Sequence, residues 1–307
     1  ANPLSTIRKC AKGGIMKLVD VKQEGAYASI TIEMDAKDVA GEMPVIYMTI
    51  AHQMGLHPKA GQTAKDQVLE SISAEEAMRR SAGFLMSVSA MKGIDLAGCN
   101  IVGEPKCSYE EPPHEGESFT YQMHVALVPQ MELTSYDSVS VPSRESVLEG
   151  FRNGGQRDPE LGATQYRRYI AVSKLSQRLD GNVPDEAFEA AYDELLQSFR
   201  TAMRERDMTE EDYFAKEGTN AQDFKASLMM QTREQLRQEL ALDALARHEG
   251  MELTEGDVRE YCREQAPGRE AQYASHAANQ GGMRSLKLAA LRTKANKWLV
   301  ETASIED

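Results

Sequence analysis

This chain has no apolar run approaching the roughly 20 residues that a membrane-spanning helix needs, so no membrane partner is expected. The opening stretch ANPLSTIRKCAKGG holds no apolar segment of the signal-peptide kind, and a cytoplasmic location is expected. Cysteine is scarce. Cys10, Cys99, Cys107 and Cys262 show no CxxC spacing, and Cys99 and Cys107 with His114 fall short of the four ligands of a closed zinc site. Cys99 and Cys107 fall near the two ends of one short strand, which argues against a disulfide between them. Reduced thiols and no metal are expected. The six histidines include no HExxH pair, and there is no GxSxG, Walker loop, GxGxxG or catalytic Cys–His signature. Neither a catalytic residue nor a cofactor is expected. Carboxylate pairs such as Glu110-Glu111 and Glu210-Glu211 read as solvated caps.

Positive charge is also in deficit. Lys and Arg number 35 against 48 Asp and Glu, a net charge of −13. Residues 1–141 carry 12 basic and 18 acidic side chains, and residues 142–307 carry 23 and 30. Such a balance gives no general affinity for nucleic-acid phosphate or anionic lipid. Any contact with a nucleic-acid assembly has to be local, and no sequence-specific nucleic acid is expected.

What the chain does have is amphipathic helix. From 164 onward the apolar period is helical. A first helix places Val172, Leu175 and Leu179 on one side. A second, over 184–206, carries Phe188, Tyr192, Leu195, Leu196, Phe199 and Met203, with Pro184 where a first turn tolerates it. The longest, over 220–249, spaces Phe224, Leu228, Leu236, Leu240 and Ala244 along one face and stops at Gly250. Its length of roughly 45 Å is more than one small core covers. Helices over 255–265, 268–279 and 283–302 complete the set. Thr209-x-x-Asp212, Thr219-x-x-Gln222 and Thr254-x-x-Asp257 have the spacing of capping boxes, and Leu253 with Val258 forms a staple around the last.

The first part alternates instead. Ala28, Ile30, Ile32 and Met34 share one face of a strand, and Tyr121, Met123, Val125 and Leu127 share one face of another. Helices are expected between them near 36–54 and 73–92, the second capped by Ser73-x-x-Glu76. Gly41 and Pro44 predict a kink or delayed start in the first.

These segments together resemble the trigger factor family of ribosome-associated chaperones. VPDEAFEAAYDELL, MTEEDYFAKEG and ALARHEGMELTEGDVREY resemble its helical C-terminal domain. Met16-Lys-Leu-Val-Asp-Val, Ala28-Ser-Ile-Thr-Ile-Glu, Lys92-Gly-Ile-Asp-Leu-Ala-Gly and Gly116-Glu-Ser-Phe-Thr-Tyr resemble its ribosome-binding domain. The resemblance implies an α+β N-terminal domain and an all-α C-terminal domain of trigger factor or SurA-like helical arms. It divides the chain into an extension over 1–15, the α+β domain over 16–141, a linker over 142–163 and a helical domain over 164–307. The family carries an FKBP-type prolyl isomerase where this chain has only 142–163, a segment too short to build one.

The resemblance also implies a function: ATP-independent shielding of apolar segments in nascent or unfolded chains, without the isomerase. The family grips the ribosome with a loop of the form Gly-Phe-Arg-x-Gly-x-x-Pro. Here the matching residues are Gly55, Leu56, His57, Pro58 and Lys59. A largely neutral imidazole replaces arginine poorly, so ribosome binding is expected to be weak. Gly150-Phe-Arg-Asn-Gly154 matches part of that form only by chance. The candidate client-binding residues are Met203, Met208, Phe214, Met229, Met230, Met251 and Met283, because flexible thioethers suit a surface that accepts many apolar sequences. Tandem Met229-Met230 cannot both face one core. The rival readings are an exported SurA-like chaperone, an adaptor or assembly factor dedicated to one folded partner, and an enzyme with an unrecognised site, which predicts a deep polar pocket with shifted titrating groups.

Overall fold

A computed structural model describes residues 16–57, 61–114 and 116–306. The chain forms two compact units. One comprises the chain up to Cys99 with Pro105–Val125 and Ala278–Gly282. The other comprises Asn100–Glu104, Ala126–Ala277 and Met283–Asp307. The N-terminal part is α+β and the C-terminal part is helical, as the sequence predicts.

The first elements are β1 (Met16–Glu24) and β2 (Tyr27–Met34), an antiparallel hairpin whose tight turn uses Gly25 at positive φ. Then come α1 (Ala36–Gln53), α2 (Ala64–Ser71), α3 (Ala74–Ala97), β3 (Ile101–Ser108) and β4 (Phe119–Leu127). The sheet order is β1-β2-β4-β3. Ala28, Ile30, Ile32 and Met34 are buried on β2, as are Tyr121, Met123 and Val125 on β4. The β4 alternation breaks at its end, where Ala126 is buried and Leu127 half-buried. Helix α3 closes on this face through Gly93: a Cβ there would lie 2.8 Å from Met123 Cε and 2.9 Å from Ile32 Cγ1. Of the kink or delayed start that Gly41 and Pro44 predict, the delay is absent: α1 starts at Ala36. Asp35 caps it by accepting from the amides of Lys37 and Asp38, and Pro44 lies inside the helix. A good cap six residues before Gly41 outweighs the cost of that glycine.

The rest of the chain runs β5 (Ser140–Val141), α4 (Arg144–Asn153), α5 (Pro159–Ser176), α6 (Asp185–Glu205), α7 (Glu210–Glu217), α8 (Ala221–His248), α9 (Glu255–Gln265), α10 (Glu270–Gln280), α11 (Met283–Glu301) and β6 (Ser304–Ile305). Leu175 and Leu179, Leu236, Leu240 and Leu245 on α8, and Leu299 on α11 share one core. Arg292 fastens α11 to α8 by a forked bond to Asp243, at 2.7 and 2.9 Å, and a bond to Glu239. Strands β5 and β6 pair in parallel, tying the last described residues to the chain just before α4.

Residues 142–163, expected as the linker in place of the isomerase, hold α4, capped by Ser143, and the start of α5, with Asp158 as cap and Pro159 in its first turn. Val147, Leu148, Phe151 and Ala163 give this hairpin its own small core. Residue 141 lies inside the second unit. One expectation is corrected: α8 is capped not by Thr219 but by Asn220, whose side chain accepts from the amides of Gln222 and Asp223. Thr219 is occupied in ending α7: its amide donates to the Phe214 carbonyl beyond Gly218 at positive φ.

Candidate functional site

Within the second unit, α6, α7 and α8 carry accessible apolar side chains, as does α5 with exposed Leu161, Tyr166 and Tyr169. The 21 residues of α6 include only two that are buried, Ala187 and Met203. Phe188, Tyr192, Leu195, Leu196 and Phe199 line its apolar side and stay half-buried. No residue of α7 is buried. An aromatic cluster joins the three helices: Phe199 lies 5.0 Å from Tyr213 and 4.5 Å from Phe224, and Phe214 lies 5.4 Å from Phe224. Arg233 of α8 sits over the Phe188 ring at 5.0 Å. This cluster was not legible as a unit, because its members come from three separate helical periods.

The candidate client residues separate by burial. Met230 is 75% exposed and Met229 37%. Met230 shares an open surface of α8 with Asp223, Ala226, Ser227, Gln231 and Glu234. These positions recur at intervals of three and four, so they form one stripe opposite buried Leu228, Thr232 and Leu236. Met203 is 5% exposed and packed. Met208, Phe214, Met251 and Met283 are half-buried. Phe214 belongs to the aromatic cluster, and Met251 packs against the helical core. Met208 and Met251 also share a local cause. Each follows a residue at positive φ, Asp207 or Gly250, and donates its amide to the Met203 or Ala246 carbonyl, which closes α6 or α8. The structure therefore does not bring the seven candidates onto one surface; Met229 and Met230 alone of them are exposed.

The loop candidates lie in the first unit, after α1. Gly55 has φ 66, its amide donates to the His52 carbonyl, and the Leu56 amide donates to the Ala51 carbonyl. These bonds make the Gly55–Leu56 pair the end of α1, which accounts for the glycine without any ligand. Leu56 is half-buried and His57 exposed. Pro58 and Lys59 lie outside the described residues. Val45 and Met48 add exposed apolar side chains along α1.

On α6, burial raises the pKa of the Glu194 carboxyl, with the charges of Glu104 and Glu239 adding to the effect; other shifted groups lie elsewhere. Burial, followed by the bond to and the charge of neighbouring Asp35, pushes the Asp38 carboxyl up to about 6. The Lys294 ammonium and the Thr254 amide and hydroxyl hold Asp257 down at about 2 within the α9 capping box. Burial pushes the Tyr121 phenol up to about 12 against the opposing bond from Ser89 at 2.8 Å, which leaves a protonated hydroxyl inside the core. Cys107 is half-buried and Cys262 buried, and no group of three metal-binding side chains occurs among the described residues. Nor is any helix among them long and apolar enough to cross a membrane.

Two family models match the chain. The one described as bacterial trigger factor protein covers residues 16–149, and the one described as the bacterial trigger factor C-terminus covers residues 151–301. Among curated proteins, the chain is 23% identical over 175 residues to trigger factor of Bacillus pumilus, covering 55% of this chain and 41% of that protein. It is 22% identical over 196 residues to trigger factor of Halalkalibacterium halodurans, covering 61% and 46% respectively. These matches span less than half the length of those relatives. A solved structure, described as concerning promiscuous substrate recognition in folding and assembly activities of the trigger factor chaperone, is similar with a TM-score of 0.42. It has 12% identity over 92% of this chain and 99% of that one.

Proposed function

The chain belongs to the trigger factor family, and from that premise we propose that it is an ATP-independent chaperone of the cytoplasm that works without an isomerase insertion. Nascent or unfolded polypeptides are its partners, and it needs no cofactor. The observation that carries this reading is the half-open apolar lining of α6 together with the exposed stripe of α8 centred on Met230. A helix with that much accessible apolar side chain gains by burying it against another chain.

The magnitudes favour transient contact. Burying a methionine side chain fully contributes about 1.5–3 kcal/mol, and Met229 and Met230 are exposed to different degrees. Association costs at least about 4 kcal/mol in lost motion. The methionine pair alone thus comes close to break-even, and useful affinity requires the α6 lining to join in. A client is then held weakly, at several points, and released without an energy source.

Two features support the absence of the isomerase from the usual place. The family matches end at 149 and resume at 151, and residues 142–163 are committed to the α4–α5 hairpin. Ribosome contact is proposed to be weak, since exposed His57 stands where the family pattern has arginine. The test of the chaperone reading is suppression of aggregation of a chemically unfolded client by the whole chain. A variant with Met229→Glu and Met230→Glu should lose several-fold in potency while keeping its thermal unfolding midpoint. Equal potency of variant and parent contradicts the placement of the client surface. No suppression by the parent contradicts the function, and one stoichiometric partner recovered from cells would favour the adaptor reading.

A further inference from the structure

Helices α4, α5 and α11 line a half-open cavity, of about 140 Å³, in the helical unit. Arg144 of α4, Arg167 and Arg168 of α5, and Lys297 of α11 all line it, and so does Glu301. Four cations converging on one cavity is unexpected in a chain of net charge −13.

The cations differ in how far they are already engaged. Arg144 is bonded to Glu160, and Lys297 to Glu260 at 2.7 Å and Glu264 at 2.8 Å. Burial works against the Lys297 charge, but these two carboxylates outweigh it and raise its pKa. Arg168 reaches Glu264 only at 3.6 Å, beyond ordinary hydrogen-bond distance. Arg167 donates from Nε to the Pro142 carbonyl at 3.0 Å, a backbone contact that anchors the guanidinium. Its two terminal nitrogens make no hydrogen bond or ion pair among the described residues. Donor capacity is therefore concentrated on the adjacent forks of Arg167 and Arg168, whose planar geometry suits the two oxygens of a carboxylate.

The size and the remaining charge narrow the ligand. A cavity of about 140 Å³ exceeds the roughly 30 Å³ share of one water and falls short of the roughly 300 Å³ at which small-molecule sites begin. It takes one functional group with its first carbons and no whole cofactor. Glu301 lines the same cavity, so a dianion such as phosphate meets more repulsion there than a monoanion does.

We infer that this cavity receives a single carboxylate of a peptide, clasped by Arg167 and Arg168, with Glu301 limiting the charge it accepts. The carboxylate comes from an acidic side chain or from a chain terminus, and the inference stands independently of the chaperone reading.

The test uses the isotope-labelled full chain, following backbone amide signals of residues 161–168 and 297–301. Three hexapeptide probes are titrated, all acetylated: glycines with one central Glu and an amidated end, the same with Gln for Glu, and all-glycine with a free carboxyl end. The expected result is a saturable shift of these signals by one or both carboxylate peptides and none by the Gln control. Whichever peptide binds identifies the source. Arg167→Gln should weaken binding at least tenfold, and Glu301→Gln should tighten it several-fold. Since Arg167→Gln also removes the Pro142 contact, the Glu301 variant keeps the test independent of local disturbance. Equal shifts from the Gln control, tighter binding of inorganic phosphate than of the peptides, unchanged binding by Arg167→Gln, or no tightening by Glu301→Gln would each overturn the inference.

Discussion

Asp38 illustrates how a single side chain in a good local setting still carries a penalty. It follows Asp35, the cap of α1, and its amide is one of the two that Asp35 accepts. Its own carboxyl is burdened first by burial and then by Asp35, with Glu42 adding to the effect and Lys37 opposing it. With the folded pKa near 6 and an ordinary value of 3.8, the folded state holds this proton more tightly than the unfolded chain does. The penalty is therefore present above about pH 6 and fades as pH falls from 6 toward 4. Asp38→Asn, which imitates the protonated form, should raise the thermal midpoint at pH 7–8 and flatten its pH dependence between 4 and 6. An unchanged or lower midpoint at pH 8 would show that the ionised carboxylate is accommodated. At this scale the sequence was most legible where bonds are short-range. Thr209 with Asp212 and Thr254 with Asp257 do form reciprocal boxes. Asn220 displaced Thr219 because a cap is chosen by where the preceding turn ends, and Gly218 ends α7 one residue too late for Thr219 to serve.

At the scale of elements, periodicity located α6, α8 to α11 and the two central strands to within a few residues, because burial on one face enforces the period, whereas α7 was marked only by its Thr209 capping box. It did not reveal α4, whose ten residues bury only Val147 and Leu148, nor β5 and β6, whose two-residue pairing depends on a partner 164 positions away. Methionine count alone could not say which thioethers face solvent. Met203 and Met230 both sit on amphipathic helices, and only packing by neighbouring helices separates buried from exposed. The α4–α5 hairpin has a functional consequence. With residues 142–163 folded around Val147, Leu148 and Phe151, there is no chain left in that segment for a prolyl-binding pocket. The full chain at micromolar concentration should leave the cis/trans relaxation of a proline-containing peptide at its spontaneous rate. Catalysis that co-purifies with the chain and survives removal of contaminating isomerases would contradict the absence.

For the molecule as a whole, charge and apolar surface act in different ways. Net charge of −13 opposes association with ribosomal RNA at long range, and salt weakens any local attraction that overcomes it. Co-sedimentation with ribosomes is thus expected to be weak and to vanish near physiological salt. Replacing His57 with Arg should strengthen it, and tight co-sedimentation of the parent chain at that salt would contradict the expectation. The proposed client surface would obey no such constraint, since burial of α6 and α8 side chains against a client would be driven by water release rather than by charge. Hydrogen exchange of the full chain, with and without a saturating unfolded client, tests this central claim most directly. The account predicts added protection across α6 and the 223–234 stripe of α8, with little change in the α+β unit. Protection confined to the α+β unit, or none anywhere while the client is demonstrably bound, would contradict it.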